Sequence, residues 1–152
     1  MTLDLKDAID LCKNYSRSLL TCNIQSFNKN HFSINSLIFE IKPTFVSLQE
    51  IWSPKICMSL PDYHNPIMYT RTKKRGGGCS VLIHSSLKYE IFSPIEKISC
   101  KHIEKVAVKI IDSKCKNFLL ISLYRPPKNK FFKDTAGPQV VRFLVPRKIR
   151  TT

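Results

Sequence analysis

The chain has 152 residues and a formal net charge of +14, from 25 Lys and Arg against 11 Asp and Glu. This length allows one domain, and a hydrophobic content of 43% is enough for a buried core and excludes wholesale disorder. The charge favours polyanionic partners, nucleic acid before anionic membrane, because Lys and Arg neutralise phosphate groups. The other explanation of the charge is a lysine-rich proteome or a wrongly bounded gene product. No apolar run approaches the roughly 20 residues that are needed to span a bilayer.

The six cysteines fit a reducing compartment better than a disulfide framework. No two are spaced as a CxxC pair, and with the four histidines they form no zinc-ligand spacing. Several lie in apolar runs, where a free Cys behaves as a small buried hydrophobe. The opening MTLDLKDAID is acidic and polar, unlike a signal peptide, so we expect an intracellular protein.

The first predicted elements are a short helix and a buried strand. Residues 3–12 carry apolar side chains on one helical face, so residues 1–16 are predicted to form an N-terminal helical extension. Residues 18–23, SLLTCN, are a brief apolar run that ends on Asn23, which indicates a buried strand.

A second helix is predicted to begin after Ser33 as its N-cap. Its apolar residues follow the i, i+3, i+4, i+7 spacing of one buried face: Ile34, Leu37, Ile38 and Ile41. Pro43 ends this helix because it lacks a backbone N–H and biases the preceding residue away from helical angles. Residues 44–50, TFVSLQE, then predict a strand that ends on Glu50. Strand, helix and strand within about thirty residues predict a parallel, right-handed βαβ unit.

The remainder of the chain predicts a loop and then successive strands. Residues 53–66 contain three prolines and are predicted to be a loop. Strands separated by Gly, Ser, Asn, Lys or Pro connectors follow, over roughly 67–71, 78–85, 88–94, 104–112 and 118–124. Apolar residues alternate at Val106, Val108 and Ile110, the pattern of a half-buried antiparallel strand. The predicted fold class is therefore α/β, with a mixed sheet flanked by helices that is mostly antiparallel after the opening unit.

Three polar side chains stand where predicted strands end: Asn23, Glu50 and Tyr124. Ligands of open α/β sheets bind outside the carboxyl ends of strands, so these side chains converge on one pocket if their strands are neighbours. A Glu can hold Mg²⁺ or Mn²⁺, an Asn can orient that carboxylate or touch a phosphate, and a Tyr hydroxyl can donate to the phosphate. Each residue alone has a plainer interpretation, since such a Glu is usually a solvated cap, such an Asn makes a turn and such a Tyr packs.

Four segments of the chain, taken in order, resemble one superfamily of nucleases and phosphatases. They are TCNIQSFNKN (21–30), KPTFVSLQEIW (42–52), KRGGGCSVLIHSS (74–86) and FLLISLYRPP (118–127). Their order and spacing resemble the endonuclease/exonuclease/phosphatase, or DNase I-like, superfamily. The similarity is greatest to its members in LINE-type non-LTR retrotransposons, where the endonuclease accompanies a reverse transcriptase. The resemblance covers residues 17–129.

The resemblance implies a role at each matching position. Asn23 and Tyr124 match the catalytic Asn and Tyr near the metal and the scissile phosphate, and Glu50 matches the metal ligand. Glu104 matches an acidic residue before the central strand, which we interpret as structural. The implied function is nicking of a DNA target by a Mg²⁺- or Mn²⁺-dependent endonuclease, without a small-molecule cofactor, without a membrane partner and in the nucleus.

A basic cluster adjoins the glycine-rich turn at 76–78. Its members are Arg71, Lys73, Lys74 and Arg75. No Lys-Ser/Thr and no helix follows the glycines, so we predict a tight turn with positive φ angles rather than a phosphate-binding loop. The basic cluster is either a solvated loop or a contact to the phosphate backbone of nucleic acid, and the resemblance leaves the two interpretations equal.

The family pattern breaks after Tyr124. A complete member continues with an Asp and an Asn in a GDFN-like strand end, and finishes with an Asp-His pair that activates the attacking water. No His follows His102 here, and Asp112 and Asp134 lie in no such context. Residues 130–152 resemble nothing in the family and are interpreted as an unrelated or frameshifted tail.

The sequence therefore predicts about the N-terminal half of a DNase I-like sandwich of two sheets, with one inner sheet face exposed. Loss of general acid–base catalysis removes about 10²- to 10⁴-fold in rate, so we expect this polypeptide to be inactive alone. Two other hypotheses stay open. One is a basic remnant that binds DNA or RNA without cutting it, and the other is a cellular phosphatase or repair nuclease of the same superfamily with a wrong C-terminal boundary.

Overall fold

A computed structural model of the chain describes residues 17–53, 60–71, 76–97, 103–113 and 116–125. These residues form seven strands and two helices. The strands are β1 (Leu19–Asn23), β2 (Phe45–Gln49), β3 (Ile67–Tyr69), β4 (Cys79–Ile83), β5 (Lys88–Ile91), β6 (Glu104–Ile111) and β7 (Phe118–Tyr124), and the helices are α1 (Phe27–Ile41) and α2 (Pro94–Lys97). The predicted N-terminal helix at 3–12 and the predicted tail at 130–152 lie outside the described residues.

The opening strand, helix and strand form the predicted parallel unit. β1 pairs with β2 in parallel, from Leu19 opposite Phe45 to Asn23 opposite Gln49. Parallel strands end at the same edge of a sheet. Asn23 and the residue that follows Gln49 therefore lie side by side.

The predicted start of α1 is wrong, because the helix begins at Phe27 and Ser33 lies exposed inside it. The residue before the helix, Ser26, makes no side-chain capping bond and has φ 100°. Backbone contacts hold this end instead, since the N–H groups of Ser26 and Phe27 donate to the carbonyls of Glu50 (2.8 Å) and Ile51 (2.9 Å). Such a long-range anchor has no local sequence signature.

The predicted end of α1 is confirmed. The helix stops at Ile41, and Lys42 adopts the left-handed conformation with its N–H donating to the carbonyl of Ile38. Pro43 follows outside the helix, because it has no backbone N–H with which to continue the helical hydrogen bonds.

The seven strands divide between two sheets. The first is mixed, in the order β1-β2-β4-β3, and only its β1–β2 pair is parallel. The second is antiparallel throughout, in the order β5-β6-β7. All five strands predicted after the opening unit are present, and the α/β class is confirmed with mixed and antiparallel sheets and few helices.

The first sheet is covered on both faces. Alternate side chains of its strands pack against α1 in one apolar cluster that includes Leu20, Cys22, Val46, Leu48, Leu82, Ile34, Ile38 and Ile41. Its opposite face packs against the second sheet in a second cluster that includes Phe45, Cys79, Val81, Ile83, Val106, Val108 and Ile110. The rings of Phe45 and Phe118 meet edge to face across this interface, with centroids 5.8 Å apart. The described residues therefore stack as helix, sheet and sheet.

The expectation of an exposed inner sheet face is wrong. Both inner faces are formed within residues 17–125, and they bury each other. The outer face of β7 in the second sheet carries three exposed apolar side chains: Leu119 (45%), Ile121 (43%) and Leu123 (55%). No helix among the described residues is long and apolar enough to cross a membrane.

Candidate functional site

The structure brings Asn23, Glu50 and Tyr124 into direct contact. The amide Nδ2 of Asn23 donates to Oε1 of Glu50 at 3.1 Å, and the hydroxyl of Tyr124 donates to the same oxygen at 2.6 Å. Asn23 ends β1 and Glu50 follows β2 in the first sheet, whereas Tyr124 ends β7 in the second. The packing of the two sheets therefore assembles the three side chains, and all three are half-buried.

The backbone around Glu50 is held in an unusual conformation. Glu50 and Trp52 have φ angles of 55° and 54°, in the left-handed region that residues with a Cβ rarely adopt. The N–H of Trp52 donates to the carbonyl of Gly77 at 3.0 Å, and the carbonyl of Glu50 accepts from Ser26 at 2.8 Å. These bonds offset the conformational cost, which is on the order of 1 kcal/mol or more per residue. Outliers of this kind cluster at functional sites.

A chain of polar side chains lies between the sheets beside the site. Gln49 donates through Nε2 to Ser47 Oγ at 2.7 Å, and Ser47 Oγ donates to Ser122 Oγ at 2.7 Å. Gln49 also lies 3.3 Å from Thr21 Oγ1. Ser47 and Ser122 are buried, and a satisfied buried network of this kind fixes the geometry of the groups attached to it.

Sequence reasoning missed this network. The available signal was the pair Ser47 and Gln49, which alternate with Val46 and Leu48 on a strand that is otherwise apolar. Polar residues at alternate positions of such a strand share one face, which here is the face toward the second sheet.

Glu104 forms a second carboxylate centre next to Tyr124. It faces Tyr124 in the β6–β7 register, is 6% exposed, and accepts hydrogen bonds from Nε of Arg71 and from the N–H of Gly78. The interpretation of Glu104 as structural agrees with these contacts. Of the basic cluster, Arg71 is held in this ion pair, and the other three members lie outside the described residues.

The predicted glycine turn is confirmed. Gly76, Gly77 and Gly78 have φ angles of 93°, 74° and 86°. A Cβ on Gly77 would lie 2.7 Å from Nε of Arg71 and from both carboxylate oxygens of Glu104. The turn therefore needs glycine both for its backbone angles and for the close approach of the Arg71–Glu104 pair.

The electrostatics of the site keep Tyr124 protonated. Burial raises the pKa of its hydroxyl well above the ordinary value, and the hydrogen bond and charge of Glu50 and the charge of Glu104 raise it further, against a lowering by Arg71. Tyr124 is thus a hydrogen-bond donor at neutral pH and not a base. Burial likewise raises the pKa of the Cys79 thiol from 9.0 to about 12, with a further contribution from the charge of Glu104.

The described histidines make hydrogen bonds to groups other than the three contacting side chains. Ring nitrogens of His31, His64 and His84 bond to Asn28 O, Leu87 O and Ser86 Oγ, and His102 lies outside the described residues. The two described cysteines, Cys22 and Cys79, are buried and free, as their apolar surroundings predict.

Within the described ranges, no group of three or more His, Cys, Asp and Glu side chains is gathered as a metal cluster. Among comparisons with known proteins, no protein-family model matches the chain, and no curated protein matches it. The geometry at Asn23, Glu50 and Tyr124 is therefore the main basis for a functional assignment.

Proposed function

We propose that this chain is part of a metal-dependent DNA endonuclease with a DNase I-like sandwich, of the kind found in non-LTR retrotransposons. The observation that carries the proposal is the meeting of Asn23, Glu50 and Tyr124 at one carboxylate oxygen. Asn23 and Tyr124, which are 27 and 74 positions from Glu50 in sequence, both reach it there. The packing of a mixed sheet on an antiparallel sheet supports the proposed fold.

The donor set at Glu50 fits a hard divalent cation. Both hydrogen bonds that Glu50 accepts fall on Oε1, and none of the described residues donates to Oε2. Mg²⁺ prefers oxygen ligands and keeps several of its waters, so one carboxylate is enough to hold it weakly. Glu50 would hold Mg²⁺ or Mn²⁺, and the bound ion would polarise a phosphoryl oxygen and offset charge on the leaving oxygen.

The other side chains position Glu50 and the phosphate. Asn23 fixes the rotamer of Glu50 through its amide without adding a negative charge that would repel DNA. Tyr124 keeps its proton, so its hydroxyl donates to an anionic oxygen, which is Glu50 here and a phosphate oxygen in the proposed complex. Arg71 lies close enough to Tyr124 to lower its pKa and contributes positive charge on the same side.

A plasmid-nicking assay with Mg²⁺ or Mn²⁺ tests the proposed activity. The sequence predicts an inactive polypeptide, but the contact of Asn23 and Tyr124 with Glu50 leads us to expect residual nicking that chelation stops, slower by about 10²- to 10⁴-fold than that of an enzyme with a general base. Glu50→Gln removes the metal-binding charge at nearly constant shape and should stop nicking. Glu40→Gln, an exposed carboxylate on α1, is the matched control and should nick as the unaltered chain does.

Binding of DNA without cleavage is the second candidate function. The net charge of +14 favours it, because charge-driven binding needs no catalytic group. Affinity that falls steeply with salt, together with no nicking by the unaltered chain, would support this candidate and reject the first. Nicking that survives Glu50→Gln would also reject the proposed site.

A further inference from the structure

Trp52 is the only tryptophan of the chain and is turned toward solvent. It is 41% exposed, whereas its neighbours Ile51 and Ser53 are 0% and 6% exposed. The hydrogen bond from its N–H to Gly77 O and its φ of 54° fix this outward position. The fold thus buries the residues before and after Trp52 in the chain and exposes its indole to solvent.

The exposed indole follows Glu50 closely in the chain and lies against the glycine turn. Trp52 follows Glu50 by two residues, so their Cα atoms are at most about 7 Å apart. A Cβ on Gly76 would lie 3.7 Å from Nε1 of Trp52, which places the edge of the indole along the glycine turn. The next glycine of that turn adjoins the Arg71–Glu104 pair. The glycine turn therefore contacts the indole at Gly76 and Arg71 at Gly77, and Tyr124 interacts with both Arg71 and Glu50.

We infer that Trp52 is a stacking platform for an unpaired nucleobase of DNA whose phosphate lies at Glu50. This inference rests on the proposed function and narrows its substrate to DNA with an accessible base, either single-stranded or unpaired within a duplex. Every base has a π face, so an aromatic side chain holds single-stranded DNA without reading its sequence, and cationic side chains beside it hold the backbone.

The intrinsic fluorescence of the full chain tests the inference directly, because all of its tryptophan emission comes from Trp52. The probes are a single-stranded oligodeoxynucleotide and an abasic oligomer of the same length, each with a fluorescein label for anisotropy. We expect the base-bearing strand to quench Trp52 emission at saturation and the abasic strand to bind without quenching. Equal quenching by both strands, or saturation of the base-bearing strand without quenching, overturns the inference.

Three variants complete the experiment, with circular dichroism as the check on folding. Trp52→Ala should weaken binding of the base-bearing strand by about 5- to 150-fold and leave the abasic strand unchanged. Trp52→Phe keeps an aromatic ring and should lose less affinity for the base-bearing strand than Trp52→Ala does. Phe32→Ala, an aromatic on α1 that is 78% exposed, should bind both strands as the unaltered chain does. Unchanged affinity in Trp52→Ala overturns the inference, as does failure of the unaltered chain to bind the base-bearing strand.

Failure of this inference is distinguishable from failure of the proposed function. Quenching and base-dependent binding without any nicking would retain the stacking role and reject catalysis. Metal-dependent nicking without quenching would retain catalysis and reject the stacking role.

Discussion

At the scale of single residues, the hydroxyl of Tyr124 links the two sheets through Glu50. Tyr124→Phe deletes only this donor, and we expect a loss of about 1.5 kcal/mol in the free energy of unfolding, the low end for a bond to a charged group because the site is half-buried. Urea denaturation at neutral pH measures it. Tyr89→Phe is the control, since none of the described residues bonds to the Tyr89 hydroxyl.

The contribution of Tyr124 has a definite pH dependence. Its pKa is raised in the folded state, so its stabilising effect is complete below the ordinary tyrosine value of about 10. The unfolded chain ionises above that pH while the folded chain does not, and stability falls as pH rises toward the folded pKa. The difference between the unaltered chain and Tyr124→Phe should shrink above pH ~10, and a difference that grows there would contradict the assigned hydrogen bond.

At the scale of elements, the glycine turn before β4 carries two separable requirements. Gly76 and Gly77 both have positive φ angles, but a Cβ on Gly76 meets nothing closer than 3.7 Å, whereas one on Gly77 meets Arg71 and Glu104 at 2.7 Å. Gly76→Ala should therefore cost about 1–2 kcal/mol from the backbone alone. Gly77→Ala should cost more, because the Arg71–Glu104 pair must also move.

Thermal and urea unfolding of the two glycine variants compare these costs. Equal destabilisation by Gly76→Ala and Gly77→Ala would show that the packing of Arg71 and Glu104 against the turn has no energetic effect. A larger loss in Gly77→Ala, accompanied by altered Trp52 fluorescence, is the expected result, because Gly77 O holds the Trp52 backbone.

The elements themselves were predictable where side-chain periodicity or a breaker residue determines them. The apolar stripe of α1, its end before Pro43 and the alternation of β6 all appear in the structure as the sequence indicates. The start of α1 was not predictable, because Ser26 is held by the carbonyl of Glu50 and not by a local capping bond. Helix propensity depends on residues that are neighbours in sequence, whereas the hydrogen bond from Ser26 to Glu50 joins residues far apart in the chain.

The candidate site was predictable only as far as strand ends reveal it. The predicted convergence of all three side chains required neighbouring strands; Asn23 and Glu50 meet this condition through the β1–β2 pair, whereas Tyr124 reaches Glu50 from the second sheet. The turn residues did not predict how the strands divide between two sheets. The connectors that join paired strands have a composition similar to those that join unpaired strands. The Ser47–Ser122 bond that ties the sheets together depends on that division.

At the scale of the whole molecule, the outer face of β7 in the second sheet is apolar and exposed. Leu119 and Leu120 are adjacent on β7, yet Leu119 is 45% exposed on the outer face and the half-buried Leu120 packs against the core between the sheets. Leu119→Lys should change the free energy of unfolding by less than about 0.5 kcal/mol and reduce self-association. Leu120→Lys places a charge against this core and should destabilise the fold by considerably more than Leu119→Lys.

Sedimentation velocity and thermal unfolding test this pair of substitutions. Equal destabilisation by the two lysines would contradict the assignment of the inner and outer faces of the second sheet. Unchanged self-association in Leu119→Lys would show that the outer face is not the surface through which copies of the chain associate.

Binding of Mn²⁺, followed by electron paramagnetic resonance, tests the central claim that Asn23, Glu50 and Tyr124 form one metal and phosphate site. The claim predicts one weak ion per chain, lost in Glu50→Gln, weakened about 10- to 100-fold in Asn23→Ala and unchanged in Glu40→Gln. Equal Mn²⁺ binding by the unaltered chain and Glu50→Gln, or no binding by either, would contradict it.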